Sequence, residues 1–281
     1  MKEFILFNYN LKIEKIYNEC FFIDENKIKI IKYNGEIQDL EEIFELSNEL
    51  YYKNIPVDTF ILNKEGKCYT KKNNEYIVLL KVNDIEDIID LNYIKMFEMA
   101  NNLNNKNIID LWKNEIDDFE DKISTYNKEY GLVQKTANYY IGMAENAISL
   151  LNEIKNIDNN SIGIKMNSFN VNKEQINNPF NYFKINKMYN ISTYIKNKIF
   201  KNELNYNELD QIITNIDNDI NEISLFSYML YPDYYFKLIR EEEDKKIKKL
   251  IKIIPIYEKV LKYLKENLQK NDKLKLFVWL N

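Results

Sequence analysis

The chain has 281 residues, 45% hydrophobic and 30% charged, with a formal net charge of −5, long enough to bury a large core as one domain or two lobes. Arg240 is the single arginine among 39 basic residues, so the planar fork suited to bidentate recognition of phosphates and bases is nearly absent, which argues against nucleic acid as a partner. There is no histidine, and Cys20 and Cys68 are too few for a disulfide framework. This excludes Cys-His catalysis within the chain, argues against a zinc site, and points to a reducing, cytoplasmic setting.

From Cys20 to Ile23 and from Lys27 to Tyr33 the residues are β-rich, separated by Asp24, Glu25 and Asn26 as a hairpin turn. Lys32 alternates onto the same face as Ile28 and Ile30, the core side. After Asn34 and Gly35 the period becomes helical over Glu36 to Tyr52, with Ile37, Leu40, Ile43, Phe44, Leu50 and Tyr51 as the apolar stripe. Pro56 follows its end. Thr59 to Leu62, Lys67 to Thr70 and Glu75 to Val82 read as further strands, with a turn at Asn63 to Gly66.

Beyond Asp84 the pattern is helical: Ile85 to Leu103, Ile108 to Tyr126, Tyr130 to Ile154, Tyr189 to Phe200, Tyr206 to Ile223, Leu225 to Leu238 and Glu241 to Gln269. Pro232 and Pro255 mark breaks or kinks in the last two, and the apolar tail Leu274 to Trp279 should dock. Gly142 lowers helix propensity, so close packing against another helix is its expected reason. Between the helices, Ile162 to Met166 and Phe180 to Ile185 are two short strands joined by a polar loop. No apolar stretch approaches the roughly 20 residues needed to cross a bilayer, and the apolar run in MKEFILFNYN is too short for a signal peptide. The expectation is an α+β fold: an antiparallel-sheet lobe with one helix at 1–83, and a larger, mainly helical lobe at 84–281.

Particular segments sharpen this. YYIGMAENAISLL at 139–151, NPF at 178–180 followed by STYIK at 192–196, and LYPDYYFKL at 230–238 are supported by IIK at 30–32, KNIPV at 53–57 and the segment from Trp112 to Glu120. In these segments the chain resembles the aminoglycoside phosphotransferase branch of the protein-kinase-like superfamily. Within that branch it is similar to the spore-coat kinase-like proteins typified by CotS and YutH. The resemblance implies a two-lobed kinase-like fold and assigns roles by position. Lys32 stands where a strand lysine touches nucleotide phosphates, and Glu45, with Glu42 next, stands where a helix glutamate pairs with it. The alternative for both is a solvated, lysine- and glutamate-rich face.

The same resemblance demands a carboxylate to accept the acceptor's proton and another to hold Mg²⁺. The loop expected to supply the first, SIGIKMNSFN at 161–170, has neither His nor Asp. The position expected to supply the second is Asn186, and Asn190 stands where an aspartate is usual. Asparagine cannot take a proton near neutral pH and binds Mg²⁺ weakly. Between Asp158 and Glu203 the sole acidic residue is Glu174, and no glycine precedes Gly35 to form a phosphate loop.

The expectation is therefore an inactive kinase-like protein (a pseudokinase) with no catalytic or metal-binding residues and no required cofactor. Its role would be a spore-coat or sporulation-associated assembly factor with protein partners and no membrane insertion. The alternative is an active or ATP-binding kinase using Glu174, Asp158 or the carboxylates near Asp117. The tyrosines from Tyr228 to Tyr235 with Phe236 suit a core better than a binding platform. Acidic runs such as Glu115 to Glu120 suit solvated helix faces.

Overall fold

The computed structural model describes residues 1–83, 91–96, 107–125, 131–154, 161–165, 173–240 and 244–268. Chain contacts divide it into one unit of residues 1–104 with 172–183, and a second of residues 105–171 with 184–281.

The first unit is built on the most apolar strand. In β5 (Glu75–Lys81) four consecutive residues, Ile77 to Leu80, are fully buried, so both faces of this strand must be covered. Antiparallel β2 (Asn26–Tyr33) lies on one side and β3 (Thr59–Ile61) on the other; β1 (Cys20–Ile23) edges β2, and β4 (Thr70–Lys72) also pairs with β5. The short strand expected over Lys67 to Thr70 thus sits slightly later in the chain. One face is covered by α1 (Lys2–Tyr9), a helix the alternation of the first residues did not reveal. Its Ile5 and Tyr9 pack on Ile28, Ile30, Ile77 and Leu79. The other face receives Leu40 and Phe44 of α2 (Ile37–Tyr52), which join Ile31, Tyr33, Val78, Leu80 and Phe60.

The β1–β2 hairpin closes with Ile23 opposite Asn26, and Asp24 and Glu25 both hold positive φ, 46° and 67°. That is the two-residue turn whose twist matches the flanking strands, made without glycine. The unit also includes α3 (Leu91–Lys95), α6 (Lys173–Ile176) and a short 3-10 turn at Pro179–Asn181. Asn178 starts that turn by accepting from the Phe180 amide, and the Phe180 ring packs beside Tyr33 and Phe60.

The second unit forms around α9 (Asp219–Leu230), in which every residue from Asn221 to Leu230 is buried. α5 (Gly131–Asn152) and α7 (Met188–Lys201) pack against it. They are joined by α4 (Ile108–Thr125), α8 (Tyr206–Thr214), α10 (Asp233–Arg240) and α11 (Asp244–Asn267), with Pro255 inside the last. β6 (Ser161–Ile164) and β7 (Tyr182–Ile185) make a two-stranded sheet.

The helix expected over Tyr206 to Ile223 is two helices, because Asn218 caps a new one by accepting from the Asn221 amide. The helix expected over Leu225 to Leu238 is divided at Tyr231–Pro232, the break expected of Pro232. The aromatic run is core, as anticipated: Trp112 stacks on Tyr231 at 3.8 Å, Tyr140 on Tyr235 at 3.7 Å, and Phe119 meets Phe236 at 4.7 Å. Gly142 departs from expectation, since a Cβ there would meet nothing within 4 Å. No described helix is long and apolar enough to cross a membrane. The tail from Leu274 to Trp279 and most of the helix expected over Ile85 to Leu103 lie outside the described residues.

Candidate functional site

Alternation along β2 decides which lysine can do what. Residues 27, 29, 31 and 33 share the face that packs on α2; residues 28, 30 and 32 share the face that packs on α1. Lys32 therefore keeps company with Ile28 and Ile30, opposite Ile77. Yet its side chain is 46% exposed and passes beyond the core. Its ammonium donates to Glu19 Oε1 at 2.7 Å, and that hydrogen bond, then the carboxylate's attraction, holds it above the usual lysine range. α2 lies on the opposite face of the sheet, so exposed Glu45 is not brought to Lys32.

The lysine that enters a structured polar site is Lys29. It pairs across the ladder with Leu80, and its side chain is only 14% exposed. Its Nζ lies 3.6 Å from Asp58 Oδ2 and 3.9 Å from Glu174 Oε2. Lys27, two residues earlier on the same face, donates to Glu174 Oε1.

Asp58 is wholly buried and held on three sides. Its Oδ1 accepts from the Asn83 amide at 3.0 Å, its carbonyl accepts from Ser47 Oγ at 3.0 Å, and its own N–H donates to the Asn177 carbonyl at 2.7 Å. Oδ2 has no hydrogen-bond donor among the described residues, so the Lys29 charge is its compensation. Burial pushes the Asp58 carboxyl above its ordinary range, against the Asn83 amide and Lys29. The hydrogen bond from Lys27 is the main influence holding Glu174 below its own. Asn177 closes the site by accepting from Tyr93 Oη at 2.6 Å and donating to the Asn83 carbonyl at 3.0 Å.

Sequence reasoning singled out Glu174 but missed Lys29 and Asp58. Two signals pointed to them. Lys29 shares the parity of Ile31 and Tyr33, whose partners are on α2. Asp58 is the single charge between Lys53 and Lys64, set in IPVDTFIL.

The two asparagines are in the second unit, and both are buried. Asn186 directly follows β7. Its Oδ1 accepts from the Met188 amide at 2.9 Å, and its Nδ2 donates to Asn221 Oδ1 at 3.0 Å. Asn221 in turn donates to Asp217 at 2.5 Å, and Asp217 accepts from Lys187 at 3.2 Å. Asn190 Oδ1 accepts from the Ile164 amide at 3.0 Å, and its Nδ2 donates to the Ile162 carbonyl at 2.6 Å. Its side chain thus ties α7 to β6.

Of the loop at 161–170, residues 166–170 lie outside the described chain, as does Asp158. Glu115 differs from the solvated face expected of it. It accepts from Tyr231 Oη at 2.7 Å and pairs with Arg240 at 3.0 Å, whereas Asp117, Asp118 and Glu120 are exposed. Neutral amides already committed at both ends do not fit a magnesium ion, which prefers carboxylate and phosphate oxygens. Among the described residues no three His, Cys, Asp or Glu side chains converge to hold a metal.

The fold is kinase-like. Over 96% of both chains it is similar to an aminoglycoside phosphotransferase from Alicyclobacillus acidocaldarius, with a TM-score of 0.66 and 7% identity. A spectinomycin phosphotransferase solved with ADP and spectinomycin aligns over 99% of this chain and 91% of its own, at a TM-score of 0.56 and 11% identity. An amicoumacin kinase solved with AMP-PNP, Ca²⁺ and its substrate aligns over 92% and 91%, at a TM-score of 0.54 and 7% identity. No protein-family model matches the sequence, and no curated protein matches it. At such identities the likeness establishes the fold, an α+β architecture with an antiparallel-sheet unit and a mainly helical unit.

Proposed function

We propose that the chain is a catalytically inactive kinase-like protein acting through protein contacts, as a structural or assembly factor of the spore coat or of sporulation. The observation carrying the first half is the pair Asn186 and Asn190. Both stand where the sequence resemblance calls for carboxylates, and both spend their amides on buried structural bonds. The engagement of Lys32 by Glu19 instead of Glu45 supports it. The sporulation setting rests on the resemblance of the segments at 139–151, 178–196 and 230–238.

The test is phosphoryl transfer and ATP hydrolysis with Mg²⁺ or Mn²⁺. The expected result is no turnover above a heat-treated control. Sustained turnover that disappears in Lys32→Ala or Lys29→Ala refutes the proposal.

A second reading, a nucleotide-binding or active kinase with unorthodox residues, is favoured by the likeness to phosphotransferases solved with ADP or AMP-PNP. Thermal shift with ATP, with and without Mg²⁺, separates the two. A ligand at 100 times its dissociation constant adds about 2.7 kcal/mol of stability, and a flat response sustains the inert scaffold.

A further inference from the structure

We propose that the groove between α4 and α5 receives the lysine-bearing face of α11 from a second copy of this chain. The inference goes beyond the assembly role proposed above, since it names the chain itself as a partner. It stands whether or not the chain transfers phosphate.

The helical unit is electrically lopsided. α4 carries six carboxylates against two lysines, whereas α11 carries eight lysines against three carboxylates. Such a separation of charge draws unlike surfaces of two copies together and keeps like surfaces apart. α4 and α5 leave between them an open groove of about 530 Å³. Buried Ile116 and Ile148 form its floor, and exposed Asp117, Glu145 and Glu153 stand on its rim with one cation, Lys113. An apolar floor under a carboxylate rim fits a cationic amphipathic helix. A small hydrophilic cation would leave the isoleucines uncovered.

α11 supplies the matching face. Lys248, Lys252, Pro255, Lys259 and Lys262 are all exposed and recur at i, i+4, i+7, i+11 and i+14, one stripe of the helix. Lys262 is engaged by Glu266 at 4.0 Å. Lys248, Lys252 and Lys259, like Asp117 and Glu145 in the groove, have no ion-pair partner among the described residues. The spacings agree as well. Glu145 and Glu153 are about 12 Å apart along α5, and Lys252 and Lys259 about 10.5 Å apart along α11. Between those two lysines Ile256 is 43% exposed, an apolar side chain placed to meet Ile148 between the two glutamates. The groove of one copy and the stripe of another are thus complementary, not identical. Exposed ion pairs are individually weak and screened by salt, so the association belongs to low ionic strength.

The test is sedimentation velocity of the full-length protein over a range of concentrations at low ionic strength. The wild type is compared with a groove variant, Asp117→Lys with Glu145→Lys, and a stripe variant, Lys252→Glu with Lys259→Glu. All four positions are exposed, so both variants are expected to keep the wild-type circular dichroism spectrum. The wild type should form dimers or larger species, with association weakened about tenfold or more between about 0.05 and 0.5 M salt. Each variant alone should be monomeric. An equimolar mixture of the two should associate again, because the intact stripe of one meets the intact groove of the other. A wild type that stays monomeric at low salt overturns the proposal. So does a groove variant that associates as the wild type does, or a mixture that stays monomeric.

Discussion

Replacing Lys29 with methionine keeps the apolar stem, removes the charge and leaves Asp58 buried without its cation. Unit charges 3.6 Å apart attract by about 4.6 kcal/mol at an effective dielectric of about 20. The burial cost that raises the Asp58 carboxyl offsets part of this. The net expectation for Lys29→Met is a loss of about 3 kcal/mol from the sheet unit at neutral pH. Adding Asp58→Asn removes the stranded charge, so the double variant should recover most of the loss, with a coupling of about 2 to 3 kcal/mol.

The pH dependence has a definite sign. A carboxyl raised in the folded state contributes stability that is complete below its unfolded value of 3.8 and lost as pH rises through the folded value. Lys29 is one of the influences lowering that value, so its removal raises it further. The gap between wild type and Lys29→Met should therefore open from acid towards neutral pH. Tryptophan fluorescence is the wrong assay, because Trp112 belongs to the helical unit. Native-state hydrogen exchange at the Val78, Leu79 and Leu80 amides reads the sheet directly. A coupling below about 0.5 kcal/mol, or a gap that does not narrow in acid, refutes the reasoning.

Three further outcomes are expected. Tyr228 Oη is buried with no hydrogen-bond partner among the described residues, so Tyr228→Phe should stabilise the helical unit by about 1 kcal/mol in a urea melt followed by Trp112 fluorescence. Gly142 has open space where a Cβ would go, so Gly142→Ala should add about 0.5 to 1 kcal/mol in the same melt; a loss would mean that something packs there. Glu25 holds φ 67° in the β1–β2 turn, so Glu25→Gly should slow exchange of the β1 amides, relieving about 1 kcal/mol of backbone strain.

Where periodicity was strong, the sequence revealed the structure. β1, β2, α2, β5, α4, α5 and α7 lie where alternation or the helical stripe puts them, and the kinase-like fold was readable from segments spread along the chain. The failures have physical causes. α1 is short, and only Ile5 and Tyr9 are buried, too little signal against strand-like neighbours. The break between α8 and α9 is made by one capping amide from Asn218, which apolar spacing does not register.

At the candidate site the lysine strand was legible but its active side was not. The choice between Lys29 and Lys32 depends on which face α2 covers, a fact of tertiary packing. Asp58 was overlooked because its role depends on Asn177 and Glu174, more than a hundred residues away in sequence. That residues 186 and 190 are asparagines was visible directly. What those amides bond to required coordinates.

The bonding of Asn190 limits what can replace it. Its Nδ2 donates to the Ile162 carbonyl while Oδ1 accepts from the Ile164 amide, a two-handed grip that only an amide can make. An aspartate placed there would still accept the Ile164 amide hydrogen, but its other oxygen would be pressed against the Ile162 carbonyl. The substitution would loosen the tie between α7 and β6. Aspartate at 190 would therefore cost β6 its anchor, whatever the new carboxylate could offer in exchange.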